Sequence, residues 1–202
     1  MVFAPTDLPP EIAPNEYSHP SAAFSLLLPR TWTLYEQTTS LFASATFAPP
    51  NSDIPLVQIV TLNFGRDVLA DELGDIMSQY QSQIRPDLTR YTEEGRQAMG
   101  DGSWRMTGLR QSPAGETQQI NTFIQANGSL LAILEITVPL DAGLQSQIQT
   151  IINTLSLADS ADLPVSDLSV LDANKAEEAQ DTQVVLLDAL IRVTNEPNVP
   201  RF

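Results

Sequence analysis

Apolar and polar positions divide this chain into blocks with different periods. Phe24-Ser25-Leu26-Leu27-Leu28 is a short apolar run stopped by Pro29, which reads as a strand feeding a turn. Residues 41–47 alternate in part, with Leu41, Ala43, Ala45 and Phe47 on one face, until Pro49-Pro50-Asn51 breaks the pattern. Residues 56–64 put Leu56, Val60, Leu62 and Phe64 on one side and Val57 and Ile59 on the other. That is the pattern of a central strand covered on both faces.

The period then changes. Leu69, Leu73, Ile76, Met77, Tyr80 and Ile84 recur at helical spacings and predict an amphipathic helix over 69–84. Asp67 suits its N-cap, and Asp71, Glu72 and Asp75 place negative charge at the positive end of the dipole. Arg85 sits at the other end, and Pro86 stops the helix. Four strands follow, over 91–99, 104–110, 118–124 and 130–138. Their turns carry Asp101-Gly102, Pro113-Ala114-Gly115 and Asn127-Gly128, and the last pair is the strongest hairpin signal. Pro139 ends the final strand and Asp141 caps a second helix, whose stripe is Leu144, Ile148, Ile151, Ile152 and Leu155. Three strands, a helix, four strands and a helix predict an α+β domain: an antiparallel sheet with helices packed on it.

The ends read differently. Residues 1–21 hold Pro5, Pro9, Pro10, Pro14 and Pro20 with little periodicity and predict an extended, Pro-rich tether. Residues 158–202 read as an acidic linker and C-terminal extension, or as part of a second small domain. Residues 158–168 are rich in Asp, Ser and Pro, 174–180 favours helix, and 184–193 fits both a strand and a helix, with the strand preferred. On this reading, deleting 159–202 leaves the melt of the main domain nearly intact.

Several motifs carry a family resemblance. Phe24 to Trp32 (FSLLLPRTW) is similar to the opening "F-S-apolar-x-x-P-x-x-W" of the Mog1/PsbP-like superfamily. The order of elements is similar too: a strand pair, the 69–84 helix, a glycine-containing strand between Gly95 and Trp104, a hairpin ending in LLAILEI, and a closing helix ending at Leu155-Ser156-Leu157. The resemblance covers residues 22–157, and its bacterial lipoprotein branch is the nearest in character. It implies an antiparallel sheet sandwiched by helices and a non-enzymatic role in binding or assembly. It also implies that the Pro-rich start is a tether behind a removed lipidated cysteine. The chain lacks the Gly/Asp-rich segment of the photosynthetic branch in 34–41, and no patch matches the partner-binding residues of the nuclear-import cofactor. No functional residue is carried over.

Charge narrows the function. Twenty-five acidic against ten basic residues give a net charge of −15, and Lys175 is the only lysine. Nucleic acid and anionic lipid are therefore disfavoured as partners. With no cysteine, disulfides, thiolate nucleophiles and Cys-based metal sites are excluded. No apolar run is long enough to span a bilayer.

Candidate chemistry is thin. His19, the only histidine, lies between Ser18 and Pro20 and is expected to be exposed and inert. A serine nucleophile would need Lys175, which lies in the acidic tail. G-x-S-x-G, G-x-x-x-x-G-K and H-E-x-x-H motifs do not occur. Glu93 and Glu94 are adjacent and, as strand neighbours, should point to opposite faces at a solvated edge. Asp159, Asp162, Asp167 and Asp172 lack the spacing of a calcium loop and fit a flexible linker better. Trp32 and Trp104 are expected in the core rather than as ligand platforms. Asn127-Gly128-Ser129 matches a glycosylation acceptor but reads better as a turn.

No catalytic, cofactor-binding or metal residue is assigned, and no cofactor is expected. The leading expectation is a non-catalytic protein-binding or scaffold module, tethered at a bacterial cell envelope and acting on a protein partner. The alternatives are a cytoplasmic adaptor or chaperone of the same fold and, third, a hydrolase with an unrecognised site.

Overall fold

The computed structural model describes residues 13–38, 41–52, 54–84, 90–112 and 115–171. The expected elements at Lys175, Arg85, Pro86, 174–180 and 184–193 lie outside them, as do residues 1–12.

The described residues form two antiparallel sheets and two α-helices. The strands are β1 (Asn15–Ser18), β2 (Phe24–Leu28), β3 (Thr33–Thr38), β4 (Ala43–Ala48), β5 (Val57–Asn63), β6 (Tyr91–Ala98), β7 (Trp104–Gln111), β8 (Thr117–Asn127), β9 (Leu130–Thr137) and β10 (Ser156–Leu157). The helices are α1 (Leu73–Gln79), continued by a π-helical turn over Tyr80–Ile84, and α2 (Ala142–Thr154). The large sheet runs in the order β3-β4-β5-β9-β8-β7-β6, and β1-β2-β10 forms a small sheet. The α+β class and the antiparallel sheet with helices packed on it are as expected.

Strand alternation decides the layers. Ala43, Ala45, Phe47, Val57, Ile59, Ala132, Leu134 and Ile136 project from one face of the large sheet. They pack against Phe24, Leu26 and Leu28 of β2 and Ile148 and Ile151 of α2. Leu62, Met106, Ile124, Leu131 and Ile133 project from the other face, against Leu73, Ile76, Met77 and Tyr80. Each fully buried large side chain contributes about 1.5–3 kcal/mol before the entropy of ordering it is subtracted.

Helix α2 begins where the sequence places it. Asp141 Oδ1 accepts from the Leu144 amide at 2.8 Å, and Trp32 donates from its indole to Gln147. Trp32 is buried, as expected. The β8–β9 hairpin also forms as read, with Asn127 paired to Leu130 and Gly128 at φ +55°. A side chain is strained at that φ, so glycine suits the turn.

Three expectations need correction. The helix expected over 69–84 becomes α-helical only at Leu73, and Asp67 is not its cap. The Val68 amide donates to the Gly128 carbonyl at 2.9 Å, which pins this segment to the hairpin turn. A separate turn closes between Glu72 and Leu69, and Leu69 is exposed. The strand β3 was not anticipated: Thr33–Thr38 carries only Leu34 and Tyr35 as apolar residues, too few for a strong period-two signal.

The ends are the third correction. Asn15–Ser18, in the stretch read as a tether, is a strand paired to β2 with Tyr17 opposite Leu26. His19 is only 2% exposed rather than solvated. The stretch read as an acidic linker also packs, with Leu163 in the core beside α2 and Leu168, on a short 3₁₀ turn, in the core beside α1. Isolated leucines among Asp, Ser and Pro give no periodicity, although each finds an apolar hollow.

A cleft beside helix α2

Helix α2 rides on β2 and covers only part of its face of the large sheet. The same face of β7 and β8 continues beyond it and presents Arg105, Asn121, Phe123 and Gln125. Register places them together: Arg105 lies directly opposite Phe123, and Phe123 opposite Leu134 of β9. With Gln149 and Ile152 of α2 as the opposite wall, they enclose a cleft of about 440 Å³. A second hollow of about 480 Å³ shares Asp101, Ser103, Gln125 and Leu155 with it, so the two form one elongated groove.

Arg105 is the basic residue lining this groove. Its guanidinium carbon sits 5.7 Å from the centroid of the Phe123 ring, within cation–π range. One terminal nitrogen donates to Asn121 Oδ1 at 3.3 Å. Its Nε is buried and has no hydrogen-bond acceptor among the described residues. An unpaired buried donor costs about 1–3 kcal/mol, more when charged. At the far end of the cleft Asp101 is engaged, with Oδ1 accepting from the Ser103 amide at 3.0 Å and from its hydroxyl at 2.6 Å. These bonds hold its carboxyl below the usual aspartate range, the hydroxyl contributing most.

The groove contains hydrogen-bonding amides, one cation and apolar surface. Among the residues lining its two hollows there is no histidine or lysine, and Asp101 is the only carboxylate. This composition suits recognition of a bound group by shape, stacking and hydrogen bonds.

The residues weighed in the sequence lie elsewhere. His19 sits under the β1–β2 turn, stacked on Phe24 with ring centroids 5.1 Å apart, and its Nδ1 accepts from the Ser21 amide at 3.2 Å. Glu94 is the unpaired residue of a β-bulge between Glu93 and Gly95, and Glu93 is clamped by Arg96 through two bonds of 2.7 and 2.6 Å rather than merely solvated. Asp159 accepts from Asn127, and Asp167 from the Ser169 amide. Among the described residues no group of three or more acidic or histidine side chains is placed to hold a metal ion. Trp104 is partly buried, with Gly74 of α1 so close that a Cβ there would lie 3.0 Å from its ring. Asn127 spends its side-chain amide on the Leu157 and Ala158 carbonyls, each at 3.1 Å, so the formal glycosylation acceptor is a structural tie.

A second polar cluster lies on the α1 face. Arg110 donates to Glu135 Oε1 at 2.8 Å and to Thr137 Oγ1 at 2.8 Å, and Tyr80 reaches Glu135 Oε2 at 3.5 Å. Its charges are matched to one another, as in a structural pair that closes the edge of the core.

Sequence reading missed the cleft residues, although a signal was present. In 119–125 the apolar side Ile120, Thr122, Ile124 alternates with Gln119, Asn121, Phe123 and Gln125. A lone aromatic among amides on one strand face marks a face that the core leaves partly uncovered.

No family model and no curated protein matches this chain. Solved structures similar to it include a cyanobacterial PsbP (CyanoP) from Synechocystis sp. PCC 6803, 11% identical, with a TM-score of 0.46. That match covers 78% of this chain and 98% of the other. LpqN of Mycobacterium tuberculosis, involved in cell envelope biogenesis, is 12% identical with a TM-score of 0.42, over 73% of this chain and 91% of that one. A protein from Bacteroides thetaiotaomicron VPI-5482 is 18% identical with a TM-score of 0.42, over 73% of this chain; the match spans about half (49%) of that longer protein. At these values the likeness concerns the path of the chain.

Proposed function

We propose that this chain is a non-catalytic protein-binding or scaffold module that engages its partner through the groove beside α2. The observation that carries this reading is the open half of the sheet face. There Arg105, Phe123 and a set of side-chain amides stand beside Leu134 and Ile152. Stacking surface and neutral hydrogen-bonding groups suit the capture of another chain, and no proton donor or nucleophile needs to be assigned.

A photo-crosslinking residue at Gln149, on the groove wall, tests it in a lysate of the producing organism, with Gln79 on α1 as control. A partner trapped from position 149, absent from position 79 and lost with Phe123→Ala is the expected result. Equal capture from both positions would remove the groove from the function.

The envelope is the proposed location, following the resemblance to the bacterial lipoprotein branch. Among the described residues no helix is long and apolar enough to cross a membrane. Fractionation of the native cells decides the matter: sedimentation with membranes and release by detergent is expected. Recovery with the cytoplasmic proteins would replace this location with that of a cytoplasmic adaptor.

A further inference from the structure

We propose that the groove takes an extended peptide segment bearing a carboxylate, with the carboxylate on Arg105 and an adjacent apolar side chain against Phe123 and Ile152. This deepens the reading above and rests on it.

Three observations converge on the carboxylate. The first is the buried Nε of Arg105, which finds no acceptor among the described residues. A small turn of the guanidinium toward an incoming anion would satisfy it, and a guanidinium meets a carboxylate in a planar, two-bond fork. The second is the setting. Arg105 is stacked near Phe123 and steadied by Asn121, so little rotamer freedom is left to lose on binding. The third is the competition inside the groove. Among the described residues no carboxylate is bonded to Arg105, and the groove's one carboxylate, Asp101, is bonded to Ser103 instead.

The rest of the groove fixes the remainder of the ligand. Phe123 and Ile152 offer apolar wall beside the guanidinium, while the amides of Gln125 and Gln149 can meet backbone N–H and C=O groups. The second hollow prolongs the site past Asp101 and Leu155, which favours an extended chain over a compact metabolite. The net charge of −15 opposes any anion at long range. At physiological ionic strength that repulsion is screened beyond about 8 Å, whereas a guanidinium in direct contact is not.

The test uses NMR of the full chain and two probes that differ only in the group of interest. These are an acetylated leucyl-leucine dipeptide with a free C-terminus and its C-terminal amide. The Arg105 Nε–H resonance and the amides of Phe123 and Ile152 are followed during titration. The acid is expected to shift them saturably, and the amide to bind at least about tenfold more weakly, which corresponds to the loss of one charge-assisted pair. Arg105→Gln, checked for a native spectrum, should weaken the acid by a similar factor. Arg105→Lys, which keeps the charge but lacks Nε, should fall between. No shift with either probe, equal shifts with both, or full binding by Arg105→Gln would each overturn the proposal. The titration needs no partner protein, so its failure is separable from a failure of the crosslinking experiment.

Discussion

The phenol of Tyr17 donates a 2.7 Å hydrogen bond to Glu36 Oε2, joining the edge strand of the small sheet to the edge strand of the large one. The ring packs edge-on against Phe47, with centroids 5.8 Å apart, and tilted against Phe24. Burial first, then the bond to Glu36 and its charge, raise the phenol far above its ordinary value of 10.0. The folded state therefore keeps a proton that the unfolded chain releases near pH 10. The resulting stability is complete below that pH and declines as pH rises above it. Melting curves of the wild type should fall between pH 9 and 11 more steeply than those of Tyr17→Phe. At pH 7 that variant should lose about 1 kcal/mol, because its partner is solvent-exposed.

Gly108 of β7 is a packing glycine. A Cβ there would lie 2.4 Å from the Tyr91 hydroxyl and 2.5 Å from the Thr92 carbonyl oxygen, and the second atom is backbone. Gly108→Ala should cost more than about 3 kcal/mol or prevent folding. Gly100→Ala meets nothing within 4 Å and should be near neutral in the same denaturant titration.

Ala22 holds φ at +57° in the turn where its amide donates to the His19 carbonyl at 2.8 Å. Left-handed backbone costs a side-chain-bearing residue about 1–2 kcal/mol, and the extra unfolded-state entropy of glycine offsets part of that. Ala22→Gly should raise stability by up to about 1 kcal/mol, read as a higher melting temperature. A drop would show that the alanine methyl makes a contact worth more than the strain.

Leu163 and Leu168 contradict the expectation that 159–202 is dispensable. Each should lose about 2–4 kcal/mol on replacement by alanine. Truncation after Leu157 should lower the melting temperature clearly, since it also removes the Asn63 side-chain bond to the Leu163 carbonyl at 2.7 Å. An unchanged melt would restore the linker reading.

Asp101 supplies an acid-side prediction. Its carboxyl is held below the ordinary 3.8 by Ser103, so its contribution is complete above that pH and disappears as pH falls through the lowered folded value. The stability gap between wild type and Ser103→Ala should therefore narrow as pH falls below about 4.

The sequence was legible wherever a period and a stop signal coincided. The β8–β9 hairpin, the Asp141 cap and the Ile148–Ile151 stripe are local rules obeyed locally. Legibility ended where a distant contact overrode the local signal. Val68 is drawn to Gly128 and delays α1. Tyr17 reads as part of a Pro-rich tail until Phe47 is brought beside it. His19 has no neighbours in sequence that announce burial, because Phe24 and Ser44 reach it only through the fold. The groove is harder still to read, since it exists only because α2 stops short of β7.

The order of the large sheet has a kinetic side. β3-β4-β5 and β6-β7-β8-β9 are two meanders whose strands pair with chain neighbours, and they join along the seam that sets Val57 opposite Ile136 and Asn63 opposite Leu130. Each meander can assemble through short loops, but the seam must close a long stretch of chain before any of its bonds form. Closure of β5 on β9 is then the expected slow event of folding, and Val60 and Ile133, paired at its centre, are the side chains on which its rate should depend.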